Sequence, residues 1–260
     1  WLLNYKIYIM AVNINTVYQT VLALANKEQR GYITPQEFNL YADYAQMSIF
    51  EQYFYDLGQF QRRRGTGHEY ADIVSNIEEK LNLFKKYNAP LTITANGIIN
   101  LDTYLLDLYR LGNININYMN PSKTVSVEEL SLQQHAIYSK GPLTSASKSF
   151  PIFKKYQDGN STFIRIYPSP VDVGANHNLV TTKASYICKP AKPNWTYIVV
   201  DEKPLYNPTA NDHQDFSLHA SEKNELIVKI LQLAGVTIKD GNLVQAAAQE
   251  EVKNIQQEKQ

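Results

Sequence analysis

Apolar residues recur every three or four positions through the first third of the chain, which is the period of an amphipathic α-helix. The pattern predicts one helix over residues 14–30, a second over 35–63, and a third that follows a capping box at Thr66 and ends near Asn88. The second stretch is apolar on two adjacent faces. A surface that wide indicates contacts on two sides, from other helices or from another subunit.

From residue 90 the apolar residues begin to alternate with polar ones, which is typical of β-strands. Asp158-Gly159 predicts a tight hairpin between two of the strands. One helical insert is predicted over residues 127–138. The segments predicted as strands are 91–94, 106–118, 150–156, 161–167, 180–189 and 195–200.

Helical periodicity returns near the end of the chain. A helix capped by Ser221 is predicted to stop at Gly235, and a last, polar helix to start at Asp240 or Asn242. The fold class is therefore predicted as α+β, with an N-terminal helical bundle, a central antiparallel β-sandwich or barrel-like domain, and C-terminal helices. The predicted divisions are an N-terminal extension over 1–12, a helical domain over 13–89, a β-rich domain over 90–205, and a C-terminal helical segment over 206–260.

The first nine residues, WLLNYKIYI, precede a methionine at position 10. They lack the charged start and small-residue cleavage site of a signal peptide. We expect translation to begin naturally at Met10, with residues 1–9 as an upstream extension.

Residues 26–37 have the glycine and glutamate spacing of a calcium-binding EF-hand loop. Arg30, however, occupies a ligand position, and a guanidinium has no acceptor to offer a metal. Thr34 to Glu37 also form a capping box, with Pro35 at the first helical position. The sequence therefore predicts a turn between two helices, and a calcium-regulated module is the weaker alternative.

Composition narrows the function classes only slightly. Lys plus Arg and Asp plus Glu number 25 each, so net charge gives no sign of a polyanion-binding protein. A lone cysteine, Cys188, suits a reducing compartment and is predicted to pack as a small apolar residue in a strand. The chain has 19 tyrosines, a residue that is favoured at protein interfaces.

No catalytic constellation stands out, so we expect no catalytic residues, no metal and no cofactor. His213 and His219, close in sequence to Asp212 and Asp215, could meet a metal, but such loop clusters are usually solvated. A glycan hydrolase would need two carboxylates facing one cleft. The available pairs are Glu128 with Glu129 and Asp212 with Asp215.

Arg62, Arg63 and Arg64 form the one concentrated run of charge. Cations favour a helix C-terminus, where they face the negative end of the helix dipole. The alternative is contact with nucleic acid or with an acidic neighbour. The two interpretations are compatible if a second subunit faces the run.

Four further segments are distinctive, and together they extend over most of residues 11 to 252. They are NKEQRGYITPQEFN, SFPIFKKY followed by FIRIYPSP, SYICKPAKPNWTY, and LHASEKNELIVKILQLAGVTIKDGNLVQAAAQEE. These segments resemble a family of virion structural proteins of tailed bacteriophages, the head-to-tail adaptor or neck (connector) proteins. Members of the family surround the portal vertex and connect the capsid to the tail.

The resemblance implies a non-enzymatic protein that is made in the host cytoplasm and located in the neck or tail region of the virion. It implies a homo-oligomeric ring, twelve-fold to match a portal, with the portal and other neck or tail proteins as partners and no membrane. Arg62 to Arg64 would face a neighbouring subunit or the passing genomic DNA. Alternatives are another neck or tail ring protein and a tail-associated hydrolase. The last helix would dock on the portal through Leu243, Val244, Gln245, Val252 and Ile255.

Overall fold

The computed structural model describes residues 11–27, 33–62, 68–118, 123–141, 144–170 and 179–237, with residues 249, 252 and 253. This part of the chain is a mixed α/β structure with six α-helices, a curled seven-stranded sheet and a small second sheet. It divides into two compact units. We call Trp1–Leu83 together with Pro190–Gln260 the helical unit, and Phe84–Lys189 the sheet unit.

The elements follow one another along the chain as helices, then strands, then a last helix. They are α1 (Ile14–Lys27), α2 (Pro35–Arg62), α3 (His68–Asn82), β1 (Lys85–Leu91), β2 (Ile98–Asn100), α4 (Leu101–Tyr104), β3 (Leu108–Tyr118), β4 (Lys123–Glu129), α5 (Leu132–Tyr138), β5 (Ile152–Asp158), β6 (Ser161–Tyr167), β7 (Leu179–Cys188), β8 (Tyr197–Val200), β9 (Lys203–Tyr206), a 3₁₀ turn (Ala220–Glu222) and α6 (Lys223–Thr237).

The predicted start of α2 is confirmed in its hydrogen bonds. The Thr34 backbone N–H and hydroxyl donate to the Glu37 carboxylate at 2.9 and 2.8 Å, and the Glu37 N–H donates back to the hydroxyl at 3.3 Å. These bonds from the Thr34 backbone and side chain lower the pKa of Glu37. Residues 28–32, which include most of the predicted turn, lie outside the described residues.

The third helix and the first strand differ from their predictions. Helix α3 ends at Asn82 rather than near Asn88, and the strand is 85–91 rather than 91–94. The sequence gives little indication that β1 is a strand, because only Leu91 within it is buried and apolar and polar residues alternate weakly. Its pairing with β7, a partner about a hundred residues away, holds it extended.

Two other boundaries were wrong. The predicted insert over 127–138 begins as strand β4, whose Val127 is buried in the sheet, and becomes helical only after Ser131. Ser131 and Gln134 form the capping box that starts α5. Helix α6 continues through Gly235 to its end at Thr237. Of the last predicted helix, the structure describes residues 249, 252 and 253, which are helical and exposed.

The sheet unit contains one sheet with strand order β1-β7-β3-β4-β5-β6-β2. Neighbouring strands are antiparallel except β4 and β5, which pair in parallel at Glu128–Ile152 and Glu129–Phe153. The described strands thus differ from a two-sheet antiparallel sandwich. The hairpin predicted at Asp158-Gly159 is confirmed, with Gly159 at a φ of 59° in the two-residue loop. The buried face of the sheet includes Ile114, Ile116, Val127, Ile164, Ile166 and Ala184.

Strands β8 and β9 belong to the helical unit, where they form a separate antiparallel hairpin. Helix α6 packs against α1 and α2 in the same unit. The unit is therefore assembled from both ends of the chain. Its buried apolar core includes Val17, Val21, Phe38, Ala42, Ile49, Phe50, Trp195, Phe216, Leu226 and Ile230.

Two side-chain amides of α2 hydrogen-bond to residues 191–217, where the chain re-enters the helical unit after the sheet unit. We call residues 191–217 the returning segment. The Gln46 amide is buried, donates to the Ala191 carbonyl at 2.8 Å and accepts the Ser217 N–H at 2.8 Å. The Asn39 amide bonds both backbone groups of Trp195, accepting its N–H at 2.8 Å and donating to its carbonyl at 3.2 Å. We call Asn39 and Gln46 the amide clamp.

The same segment also caps α1. The Asp215 carboxylate accepts the Ile14 N–H at 2.8 Å, which satisfies one of the free donors of the helix N-terminus. The Trp195 indole N–H donates to the Asn15 side chain at 3.1 Å, and its ring lies 4.2 Å from that of Tyr18. Residues near both ends of the chain thus complete each other's hydrogen bonds and core.

We predict that Lys80→Met lowers the free energy of unfolding by about 3 kcal/mol, because it leaves a buried carboxylate without its cation. The Lys80 ammonium lies 2.7 Å from the Glu222 carboxylate, whose side chain is 2% exposed. Urea unfolding of the full chain measures the loss. The double variant Lys80→Met/Glu222→Leu is the control and should recover most of it. A loss below about 1 kcal/mol in Lys80→Met would contradict a strong buried pair.

Candidate functional site

The structure leaves most of the predicted contact residues outside its described part. Arg62 is the last residue of α2, whereas Arg63 and Arg64 fall outside the described residues. Of the predicted docking helix, Val252 is described and its side chain is 54% exposed. Leu243, Val244, Gln245 and Ile255 also lie outside the described residues, so both interpretations stay predictions.

The histidines and aspartates considered for a metal have structural roles instead. His213 contacts the Tyr206 hydroxyl at 3.3 Å, His219 caps the 3₁₀ turn, and Asp215 caps α1. In the residues that the structure describes, no group of three or more His, Cys, Asp or Glu is arranged to hold a metal ion.

The two candidate carboxylate pairs are also explained by local structure. Glu128 and Glu129 are successive residues of β4, and successive side chains of a strand point to opposite faces. Asp212 accepts a hydrogen bond from the Asn194 side chain at 3.0 Å, while Asp215 is engaged by the start of α1. Neither arrangement resembles two carboxylates that face a shared cleft.

Cys188 is buried in β7, as its neighbours in sequence indicate. Burial raises the pKa of its thiol, and the nearby Asp107 carboxylate acts in the same direction. The ammonium of Lys86 opposes this shift but is itself paired with Asp107. The protonated thiol is therefore the favoured form, which is unsuited to a nucleophile.

The outward side of the β5–β6 hairpin carries an ordered set of cations and rings. Tyr156 lies directly opposite Phe163, and Lys154 lies directly opposite Arg165, so both pairs share one face. The Tyr156 and Phe163 rings are stacked with centroids 5.8 Å apart. Tyr167 lies two residues beyond Arg165 on the same face. We call this surface, made of His135, Lys154, Tyr156, Phe163, Arg165 and Tyr167, the cationic aromatic face.

Tyr167 is the ring around which the cations gather. The Lys154 ammonium lies 5.3 Å from the ring centroid, and the Arg165 guanidinium carbon lies 5.2 Å from it. Both distances are within the range of a cation–π interaction. The His135 ring packs on Tyr167 at 4.5 Å and is the one half-buried residue of α5. The Tyr167 contact therefore attaches α5 to the sheet.

The charges of this face are uncompensated within the described residues. No carboxylate there forms an ion pair with Lys154 or Arg165, although like charges directly opposite across strands are unfavourable. The Arg165 Nε is buried and has no hydrogen-bond partner among the described residues. The pKa of His135 is lowered by burial and then by the charges of Lys154 and Arg165. The face therefore carries two cations that no carboxylate pairs, while Glu128 and Asp158 lie on the same side of the sheet at its margins.

The sequence contains this face, but net charge conceals it. The sheet unit has eleven Lys and Arg against six Asp and Glu, a formal charge of +5. The helical unit has 14 basic and 19 acidic residues, a formal charge of −5. The two cancel in the whole-chain total. Counting charge by unit, and noting alternate basic and aromatic residues in FKKY and FIRIY, could have found the face.

A second surface lies on α2, opposite to its buried side. Leu40, Tyr44 and Tyr55 are 62%, 75% and 62% exposed. Their spacing of four and eleven residues keeps them within about 60° of one another around the helix. We call these three residues the α2 row.

A third surface is the β8–β9 hairpin. Ile198 and Leu205 are exposed and pair across the strands, and Val199 and Val200 are exposed beside them. The turn places Asp201 and Glu202 at φ values of 49° and 63°, where asparagine and glycine are normally favoured. The hairpin is therefore an apolar ribbon with a strained, acidic tip.

Comparison with models of known protein families gives no match, and no curated protein matches the chain. Among the described helices, none combines the length and the apolar character that crossing a membrane requires.

We predict that Lys154→Gln raises the pKa of His135 part of the way toward its ordinary value. The substitution removes one of the two positive charges that disfavour the imidazolium, while the burial of the ring remains. An NMR titration of the His135 ring measures the change. Lys183→Gln, an exposed lysine of β7 three strands away in the sheet, is the matched control and should leave this pKa unchanged. Equal His135 pKa values in the wild type and Lys154→Gln would contradict the geometry.

Proposed function

We propose that the protein is a non-enzymatic structural component of a tailed-phage virion, a head-to-tail adaptor that assembles as a ring between the portal and the tail. The observation that carries the proposal is the α2 row. The sequence resemblance to neck proteins supplies the biological setting. The alternative within the same class is another neck or tail ring protein.

Helix α2 is 28 residues long, which corresponds to about 42 Å. One side buries Phe38, Ala42 and Ile49 in the core of the helical unit. A helix with a single partner would normally be polar on its other side. The α2 row instead presents two tyrosines and a leucine to solvent over about 22 Å of that length, with the exposed Glu51 between the tyrosines. Such a surface suits a side-to-side contact between copies.

The β8–β9 hairpin offers a second contact for such a ring. A two-stranded ribbon is marginally stable alone in water. Here Ile198 and Leu205 share one side and Val199 and Pro204 the other, so at least one apolar side would be covered by packing on a neighbouring copy. In this proposal the hairpin extends from one copy and packs on the next.

The finer parts of the proposal come from the resemblance. They are a twelve-fold ring, partners in the portal and other neck or tail proteins, and a virion location. The segment that holds Leu243, Val244, Gln245, Val252 and Ile255 docks on the portal. Arg62 to Arg64 contact a neighbouring subunit or the DNA path.

The test is the mass of the full chain by light scattering, alone and with the portal protein of the same phage. We expect a ring, formed alone or on the portal, that Leu40→Ser/Tyr44→Ser weakens at least about tenfold because two apolar side chains are removed from the interface. Leu106→Ser/Tyr87→Ser, which replaces a similarly exposed pair in the sheet unit, is the matched control and should assemble normally.

Three results would count against the proposal in different ways. A protein that stays monomeric both alone and with the portal is not an adaptor. A ring that forms equally well in Leu40→Ser/Tyr44→Ser does not use the α2 row. A stable ring that ignores the portal would shift the assignment to another neck or tail ring component.

A further inference from the structure

We propose that the cationic aromatic face binds single-stranded nucleic acid, with phosphates at Lys154 and Arg165 and bases stacked on the neighbouring rings. The inference rests on the geometry of the sheet unit and does not require the proposed function. It also concerns residues distinct from the arginine run at the end of α2.

The first step is the charge of the site. Lys154 and Arg165 lie directly opposite each other, and no carboxylate of the described residues forms an ion pair with either. Two like charges directly opposite across strands repel each other, and an anion between them would offset that repulsion in addition to the Tyr167 ring. The Arg165 Nε is buried and has no hydrogen-bond partner in the described part, so no other group fixes the guanidinium through this atom. An arginine fork matches phosphate geometry closely.

The second step is the alternation of rings and cations. Along one face of the hairpin, the Tyr156–Phe163 pair is followed by the Lys154–Arg165 pair and then by Tyr167. Successive pairs on one face are two residues apart, or about 7 Å. Cations that track a backbone beside rings that stack bases are the two components of single-strand binding surfaces.

The third step distinguishes single strands from a duplex. Tyr156, Phe163 and Tyr167 are half-buried, so part of each ring is accessible on the sheet surface. The bases of a duplex are stacked on one another and cannot reach such rings, whereas unpaired bases can be splayed onto them. His135, on the adjoining α5, packs against Tyr167 and limits the face on that side.

The fourth step is the long-range field. The sheet unit carries a formal charge of +5, which attracts a polyanion, while the −5 of the helical unit repels it. Binding of a polyanion is therefore directed to the unit that contains the rings. The other occupant that this charge division would fit is the acidic unit of a second copy.

The experiment is fluorescence anisotropy of the full chain with a labelled thymidine 20-mer at low salt, and with a duplex of equal length. We expect the single strand to bind more tightly than the duplex. Lys154→Gln/Arg165→Gln should weaken single-strand binding at least about tenfold and reduce the salt slope by about 0.7 for each phosphate that is no longer neutralised. Lys183→Gln, which removes an exposed charge from the same unit, should change affinity less than about twofold.

The ring contribution is tested separately from the charge. Phe163→Leu keeps apolar volume but removes the stacking ring, and should weaken single-strand binding about fivefold or more. Tyr156→Leu is the second ring variant, and thermal unfolding checks that each variant is folded.

Three outcomes would overturn the inference. They are no binding to the 20-mer, equal losses in Lys183→Gln and Lys154→Gln/Arg165→Gln, or duplex binding as tight as single-strand binding with no effect of either ring variant. Salt-sensitive self-association that is abolished by Lys154→Gln/Arg165→Gln would assign the face to a second copy instead.

Discussion

The amide clamp is the interaction on which the helical unit depends. Gln46 and Asn39 project from one helix and satisfy backbone groups of a segment that lies 145 to 171 residues further along the chain. Each bond contributes only about 1 kcal/mol net, but leaving a buried amide or backbone group unpaired costs as much again or more. The clamp therefore selects one position for the returning segment, which brings Trp195 into the core and Asp215 to the start of α1.

Packing within each unit decides which apolar and charged side chains stay exposed on its surface. The core faces of α1, α2 and α6 are used internally, while the α2 row and the β8–β9 hairpin are exposed, and these are the surfaces proposed to contact a neighbouring copy. In the sheet unit the inner side of β5–β6 is buried through Ile164 and Ile166, which turns Arg165 and Tyr167 outward. Assembly and nucleic-acid binding are thereby proposed for different units, with opposite formal charge.

Local signals in the sequence predicted the elements that local chemistry determines. The capping box of Thr34 started α2 as predicted, and Asp158-Gly159 marked the hairpin. Tertiary contacts decided the rest. Strand β1 is extended because β7 pairs with it, and the clamp joins residues too distant in sequence for periodicity to connect. The sequence does not predict the cationic aromatic face, for another reason. Its residues are predicted as strands with no surface role, and the whole-chain charge of zero conceals the positive charge of the sheet unit.

Native-state hydrogen exchange of two amides tests the clamp most directly. The Ser217 and Trp195 N–H groups lie in an extended segment, and each donates to a clamp side chain. If the clamp joins both ends of the chain into one cooperative unit, these amides will exchange with the same opening free energy as Phe50 in the centre of α2. Exchange of Ser217 and Trp195 several kcal/mol more easily than Phe50, as expected for a loop that opens locally, would contradict the account.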